Sequence, residues 1–132
     1  MNDIAGSADP VQAVMGAKTG LLETLKRDGS WVATPVSLVT ADGHQYFRSY
    51  QEAAKAKRLR NFPQVRVAPC TVVGKPTGDA VTGRARLLDD AEARVAARLL
   101  RRRFPVLHGI LVPLAHRLKG WTTLHYELDL DS

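Results

Sequence analysis

Trp31 to Thr40 reads WVATPVSLVT, and its alternation sets the fold class. Val32, Thr34, Val36 and Leu38 fall on one face, and Trp31, Ala33, Pro35, Ser37 and Val39 on the other, the period of two of a β-strand. Pro35 has no N–H to give a ladder, so an edge or a bulge is expected there. Two turn signals bracket the run, Asp28-Gly29 and Asp42-Gly43. Before the first lies a strand pattern from Lys18 to Leu25, KTGLLETL; after the second lies HQYFRS, ending at Arg48-Ser49. The first half of the chain therefore predicts a meander of three antiparallel strands.

A short basic helix, Glu52 to Asn61, follows the third strand directly, with Pro63 as its stop. A strand that ends in Arg and Ser and passes into a helix N-terminus gathers cations, a hydroxyl and unpaired N–H groups, the ingredients of a phosphate site. Helical geometry divides the basic residues. Lys55 shares a face with Arg58 and Lys57 with Arg60, while Lys55 and Lys57 point roughly 200° apart. One pair is expected to face a ligand and the other solvent. Spacing alone favours a solvated basic surface helix over a phosphate grip.

The remaining strands are weaker in outline. Val65 to Val73, VRVAPCTVV, reads as a strand interrupted by Pro69, and Gly74 to Gly78 as a turn. Ala80 to Leu88 returns, with Val81, Gly83, Ala85 and Leu87 on one face and Thr82, Arg84, Arg86 and Leu88 on the other. Asp89 and Glu92 form a capping box for a helix that reaches Arg103. Ala93, Ala96, Ala97, Leu100 and Phe104 make its apolar stripe. Residues 106–120 fit a short helix broken at Pro113, and Trp121 to Leu130 a last strand. About six antiparallel strands with inserted helices predict a mainly β fold, a small closed or half-closed barrel. Residues 1–17 read as a flexible arm or a poorly formed helix, and 18–132 as the barrel domain.

Composition narrows the function classes. The 132 residues suit one domain with its own core, at 45% hydrophobic and 24% charged residues. No apolar run reaches the ~18 residues of a membrane span, and MNDIAGSADP lacks the basic flank and apolar centre of a signal peptide. One cysteine, Cys70, excludes an internal disulfide and a multi-cysteine zinc site, and with the rest gives a cytoplasmic expectation. The net charge of +6 suits an anionic partner without choosing one. Nucleic acid is disfavoured because no aromatics interleave with the basic helix as a stacking surface.

No catalytic set stands out. There is no dinucleotide fingerprint and no Walker loop; His44, His108, His116 and His125 have no metal-ligand spacing; and Cys70 has no activating neighbour. A protein without its own acid, base or nucleophile can still direct a reaction that a bound cofactor carries.

The stretches DGSWVATPV (Asp28 to Val36), YFRS (Tyr46 to Ser49), AKAKRLRNFPQVRVAPCTVVGKPTG (Ala54 to Gly78) and GRARLLDDAEA (Gly83 to Ala93) resemble the pyridoxamine 5′-phosphate oxidase-like superfamily. More closely they resemble its small actinobacterial branch of deazaflavin (F-420)-dependent oxidoreductases. The resemblance implies a split β-barrel and a homodimer with the cofactor between protomers. It implies that Thr34, Pro35 and Val36 lie along the ring, and that Arg48 and Ser49 hold the phosphate. It further implies that Lys55 and Lys57, with Arg58 as a lesser candidate, grip the phosphate or an acidic tail. Pro69, Cys70, Thr71 and Trp121 would reach the partner's site. Hydride would pass between the deazaflavin and a conjugated small molecule. Flavin mononucleotide (FMN) is the alternative cofactor, and a cofactor- or anion-binding protein without turnover the alternative role. Ser37-Leu38, where an aromatic often follows Pro-Val, departs from the branch.

Overall fold

The run from Trp31 to Ala41 hydrogen-bonds to two different neighbours. In the computed structural model, which describes residues 9–131 (only the backbone of His108, Gly109 and His116), it is split by Leu38 into two strands. The order of elements is α1 (Pro10–Gly16), β1 (Thr19–Leu25), β2 (Trp31–Ser37), β3 (Val39–Ala41), β4 (His44–Tyr50), α2 (Ala54–Asn61) and β5 (Gln64–Pro69), then β6 (Val81–Leu87), α3 (Asp90–Arg103), a π-helical turn (Leu107–Leu111), α4 (Val112–Lys119) and β7 (Thr123–Leu130). One antiparallel sheet runs β2-β1-β5-β6-β7-β4-β3. Its two outermost strands, β2 and β3, are consecutive in the chain, so the sheet curls round until its ends share one run of backbone. This is the split half-barrel that the alternation predicts, with seven strands, or six if β2 and β3 are counted as one.

β2 pairs with β1 from Leu25↔Trp31 to Thr19↔Ser37, and β3 pairs with β4 from Val39↔Tyr46 to Ala41↔His44. At the crossing Leu38 is fully buried and its N–H donates to the Lys18 carbonyl at 2.8 Å. Gly20 makes room for it, since a Cβ there would lie 2.6 Å from Leu38 Cδ1. Both bracketing turns behave as their sequence dictates. Asp42 and Gly43 take φ of 53° and 78°, as a two-residue hairpin turn requires, and Gly29 takes 87°.

Leu22, Val36, Leu38, Phe47, Val65, Val67, Tyr126 and Leu128 fill the interior. Phe47 and Tyr126 are cross-strand partners whose rings stack at 4.9 Å. Each such large side chain contributes about 1.5–3 kcal/mol by burial. Residues 1–8 lie outside the described part, but residues 10–16 form a helix capped by Asp9. Its Val14 is in the core, the Val14 carbonyl accepts from buried Gln45 Nε2 at 2.8 Å, and the Met15 carbonyl accepts from Thr40 Oγ1 at 2.7 Å.

Four expectations need correction. The basic helix starts at Ala54 rather than Glu52, after a turn in which the Ala53 N–H bonds to the Tyr50 carbonyl. The strand expected to reach Val73 stops at Pro69; Val72 and Val73 are more than four-fifths exposed at the tip of a short arm bridged at Cys70↔Pro76. Alternation fails at the end of β6, where Leu87 is exposed and Leu88 buried as the chain bends into α3. Pro113 does not break residues 106–120; the π-helical turn passes into α4 one residue before it, and the helix continues through Pro113. The capping box of Asp89 and Glu92 forms as expected.

β6 and β7 approach closely at Gly83, where a Cβ would stand 2.5 Å from the Asp129 carbonyl oxygen. Gly83→Ala is expected to cost about 1–3 kcal/mol in urea denaturation. Gly16→Ala, where a Cβ meets nothing within 4 Å, is expected to be neutral or slightly stabilising.

Candidate functional site

The β3–β4 ladder stops at Val39↔Tyr46 because the chain before Leu38 is drawn across to β1. Had it continued, Ser37, Val36 and Pro35 would have faced Arg48, Ser49 and Tyr50. These six residues instead line a cavity of about 210 Å³, completed by Lys55, Leu107 and Val112. The split strand thus opens a wedge between the end of β2 and the end of β4.

Polar groups converge on the wedge. Arg48, half-buried, donates from Nε to Nε2 of His125 at 3.1 Å, its cross-strand partner on β7. That bond assigns the His125 proton to Nδ1 and fixes the guanidinium against the barrel wall. Burial, and then the charge of Arg101 on α3, lower the Arg48 pKa. Ser49 Oγ is buried and has no hydrogen-bond partner among the described residues. Lys55 is half-buried in the first turn of α2, whose N-terminus has no side-chain cap. Burial, and then the charge of Arg58, bring the Lys55 pKa down to about 8. Among the described residues it has no carboxylate partner. A buried cation without a counter-ion is costly unless something anionic joins it.

The other sequence candidates fall around this centre. Pro35 and Val36 line the cavity, Pro35 exposed on the edge strand. Thr34 is one step away, with Oγ1 buried and without a partner among the described residues. Arg58 turns toward β1 and donates from Nε to Thr24 Oγ1 at 2.5 Å, and Lys57 is exposed. Pro69, Cys70 and Thr71 begin the short arm. The Cys70 N–H bonds to the Thr19 carbonyl, and a Cβ at Gly74 would stand 3.8 Å from Pro35, so the arm folds back beside the edge strand. Burial raises the Cys70 pKa and so disfavours its thiolate. Trp121 stacks on Tyr50 of its own chain at 4.1 Å and so buttresses the cavity wall.

Sequence reasoning missed His125, Tyr50, Leu107 and Val112. Only the register of β4 against β7 brings His125 to Arg48. A larger cavity, about 830 Å³, opens beside α1 and the far ends of β6 and β7. Most of its charge is already neutralised: Glu127 contacts His44, and Arg86 bonds to Glu92 and Glu127 at 2.7–3.0 Å. Among the described residues no three His, Cys, Asp or Glu side chains could hold a metal.

No family model and no curated protein matches the chain. Solved structures do. A protein of unknown function from Agrobacterium tumefaciens is 21% identical over 91% of this chain, with a TM-score of 0.69; this chain spans about half (51%) of its length. A Listeria innocua protein, provisionally named a pyridoxamine 5′-phosphate oxidase, is 16% identical over 92% of this chain and 90% of its own (TM-score 0.62). An FAD-binding protein from Mesorhizobium loti is 18% identical over 93% and 88% (TM-score 0.65). Proteins of this fold serve different ends, heme storage among them. At such identities the likeness establishes the split-barrel fold and no particular activity.

Lys55 is expected to titrate near pH 8 when followed by NMR of labelled lysine side chains, and to move upward on adding inorganic phosphate. A midpoint at the ordinary lysine value would contradict the buried, unpaired placement.

Proposed function

We propose that the barrel binds a flavin-type redox cofactor and directs hydride transfer between it and a conjugated small molecule. One observation carries the reading: Lys55, half-buried and without a carboxylate, beside Arg48 and the orphan hydroxyl of Ser49. A phosphate is the group this set fits. Its oxygens would accept from Arg48 and Lys55, and the uncapped first turn of α2 adds N–H donors; the Ser49 hydroxyl, buried on the face of β4 opposite Arg48, would have to turn to join them.

Size divides the ligand. A cavity of about 210 Å³ is smaller than the ~300–1,000 Å³ usual for whole cofactor sites. It suits the ribityl phosphate, leaving the ring to lie outside along Thr34, Pro35 and Val36. The outer side of the ring would then be covered by a second protomer, including its arm at Pro69, Cys70 and Thr71. The bound ring supplies the hydride chemistry; the chain supplies grip, orientation and exclusion of water. Deazaflavin (F-420) is the cofactor that the sequence motifs favour, and FMN the second reading, because both present a ribityl phosphate. Exposed Lys57 lies outside the cavity and would serve only an acidic tail. The catalytic unit is residues 18–132, with α1 as a plug at the barrel end.

Titration of the purified protein with F-420 and with FMN, read by fluorescence, tests the proposal. Lys55→Ala and Arg48→Ala are each expected to weaken binding about ten- to hundredfold, the worth of a hydrogen bond to a charged group. Lys57→Ala is expected to affect only the cofactor with an acidic tail. Lys55 is charged below about pH 8, so affinity is expected to fall as the pH rises through that value and to lose this dependence in Lys55→Ala. Failure of both cofactors to bind at tens of micromolar would end the proposal.

A further inference from the structure

From Ala93 to Tyr126 the chain has seven Lys and Arg residues and no Asp or Glu. That stretch holds seven of the ten exposed large hydrophobic residues among the described residues. Leu107, Leu111, Leu114 and Leu118 are 40%, 53%, 48% and 78% exposed. From Leu111 onward the i, i+3, i+7 spacing keeps Leu111, Leu114 and Leu118 on one face, and Leu107 lies in the wider π-helical turn before them. Val106 and Ile110, also more than half exposed, widen the stripe on one side. α4 packs chiefly on the preceding π-helical turn, so no strand covers it. Around the stripe stand Arg101 and Arg102 at the end of α3, and Arg117 and Lys119 on α4, all exposed. None of the four has an ion pair among the described residues. Lys119 Nζ lies 4.7 Å over the Trp121 ring.

We infer that this face docks on an anionic lipid bilayer, the leucine stripe sinking to the acyl boundary and the cations meeting headgroup phosphates. Leucines in one stripe, flanking cations with no acid among them, and an aromatic at the end are what an interfacial helix needs. The helix lies on the membrane and does not cross it, since no helix among the described residues is long and apolar enough to do so. Charge argues against a second copy as the occupant. Isologous pairing across this face would set two acid-free, basic surfaces against each other.

Flotation with vesicles tests this, at about 0.1 M salt, where exposed charges still act over about 10 Å. The full chain is expected to float with vesicles of phosphatidylcholine containing about one-third phosphatidylglycerol. Binding to phosphatidylcholine alone is expected to be at least about tenfold weaker. Leu114→Gln with Leu118→Gln, both exposed and tolerated by the fold, and separately Arg101→Gln with Arg102→Gln, should each reduce flotation about tenfold. The inference is overturned if the wild type does not float or if both double variants float unchanged. It is also overturned if sedimentation without vesicles shows the leucine variant to be a smaller oligomer than the wild type, because a second copy then covers the face.

Discussion

One stretch of backbone has to satisfy two sheet edges, and the rest of the structure follows from how it does so. Between Trp31 and Ala41 the strand gives its first half to β1 and its second half to β4, with buried Leu38 as the crossing point. Leaving either half unpaired would expose a row of N–H and C=O groups, which buried or edge strands tolerate poorly. Gly20 leaves the space that Leu38 needs. Pro35 is tolerated because it sits on the outermost strand of the order, where a missing donor removes no central ladder bond.

The same division creates the site. Where the chain departs from β4 toward β1, residues 35–37 and 48–50 are left facing each other without pairing, and the wedge between them is the smaller cavity. The sequence places cations at that wedge and no carboxylate beside Lys55. Arg48 is held by His125, Lys55 is half-buried, and the Ser49 hydroxyl is buried without a hydrogen-bond partner among the described residues. The larger cavity shows the contrast: Arg86 there lies between Glu92 and Glu127 and is already paired.

How much of this was legible in the sequence depended on range. Local devices read true: Asp42-Gly43 at positive φ, the Asp89–Glu92 capping box, the alternation of Trp31 to Leu38. Arg48, Ser49 and Lys55 line one cavity because they are neighbours along the chain. What needed the third dimension was not legible. Nothing in HQYFRS or TLHYEL says that Arg48 will face His125; the register does. The facing of Lys55 into the cavity and of Arg58 toward Thr24 depends on how α2 rolls against β1, and spacing puts both on the same side of the helix. Leu87 and Leu88 exchanged their expected roles because a bend into α3 overrides a period of two. Residues 106–120 were ambiguous because an apolar stripe normally signals burial, and here it remains exposed.

The central claim is that the cavity between β2 and β4 holds the phosphate of a flavin-type cofactor. A crystal structure of the protein grown with FMN or F-420 tests it most directly. The account predicts phosphate oxygens within hydrogen-bonding distance of Arg48, Ser49 and Lys55, with the ring along Thr34 to Val36. A cofactor bound with its phosphate elsewhere, or a cavity left to water at saturating cofactor, would contradict it.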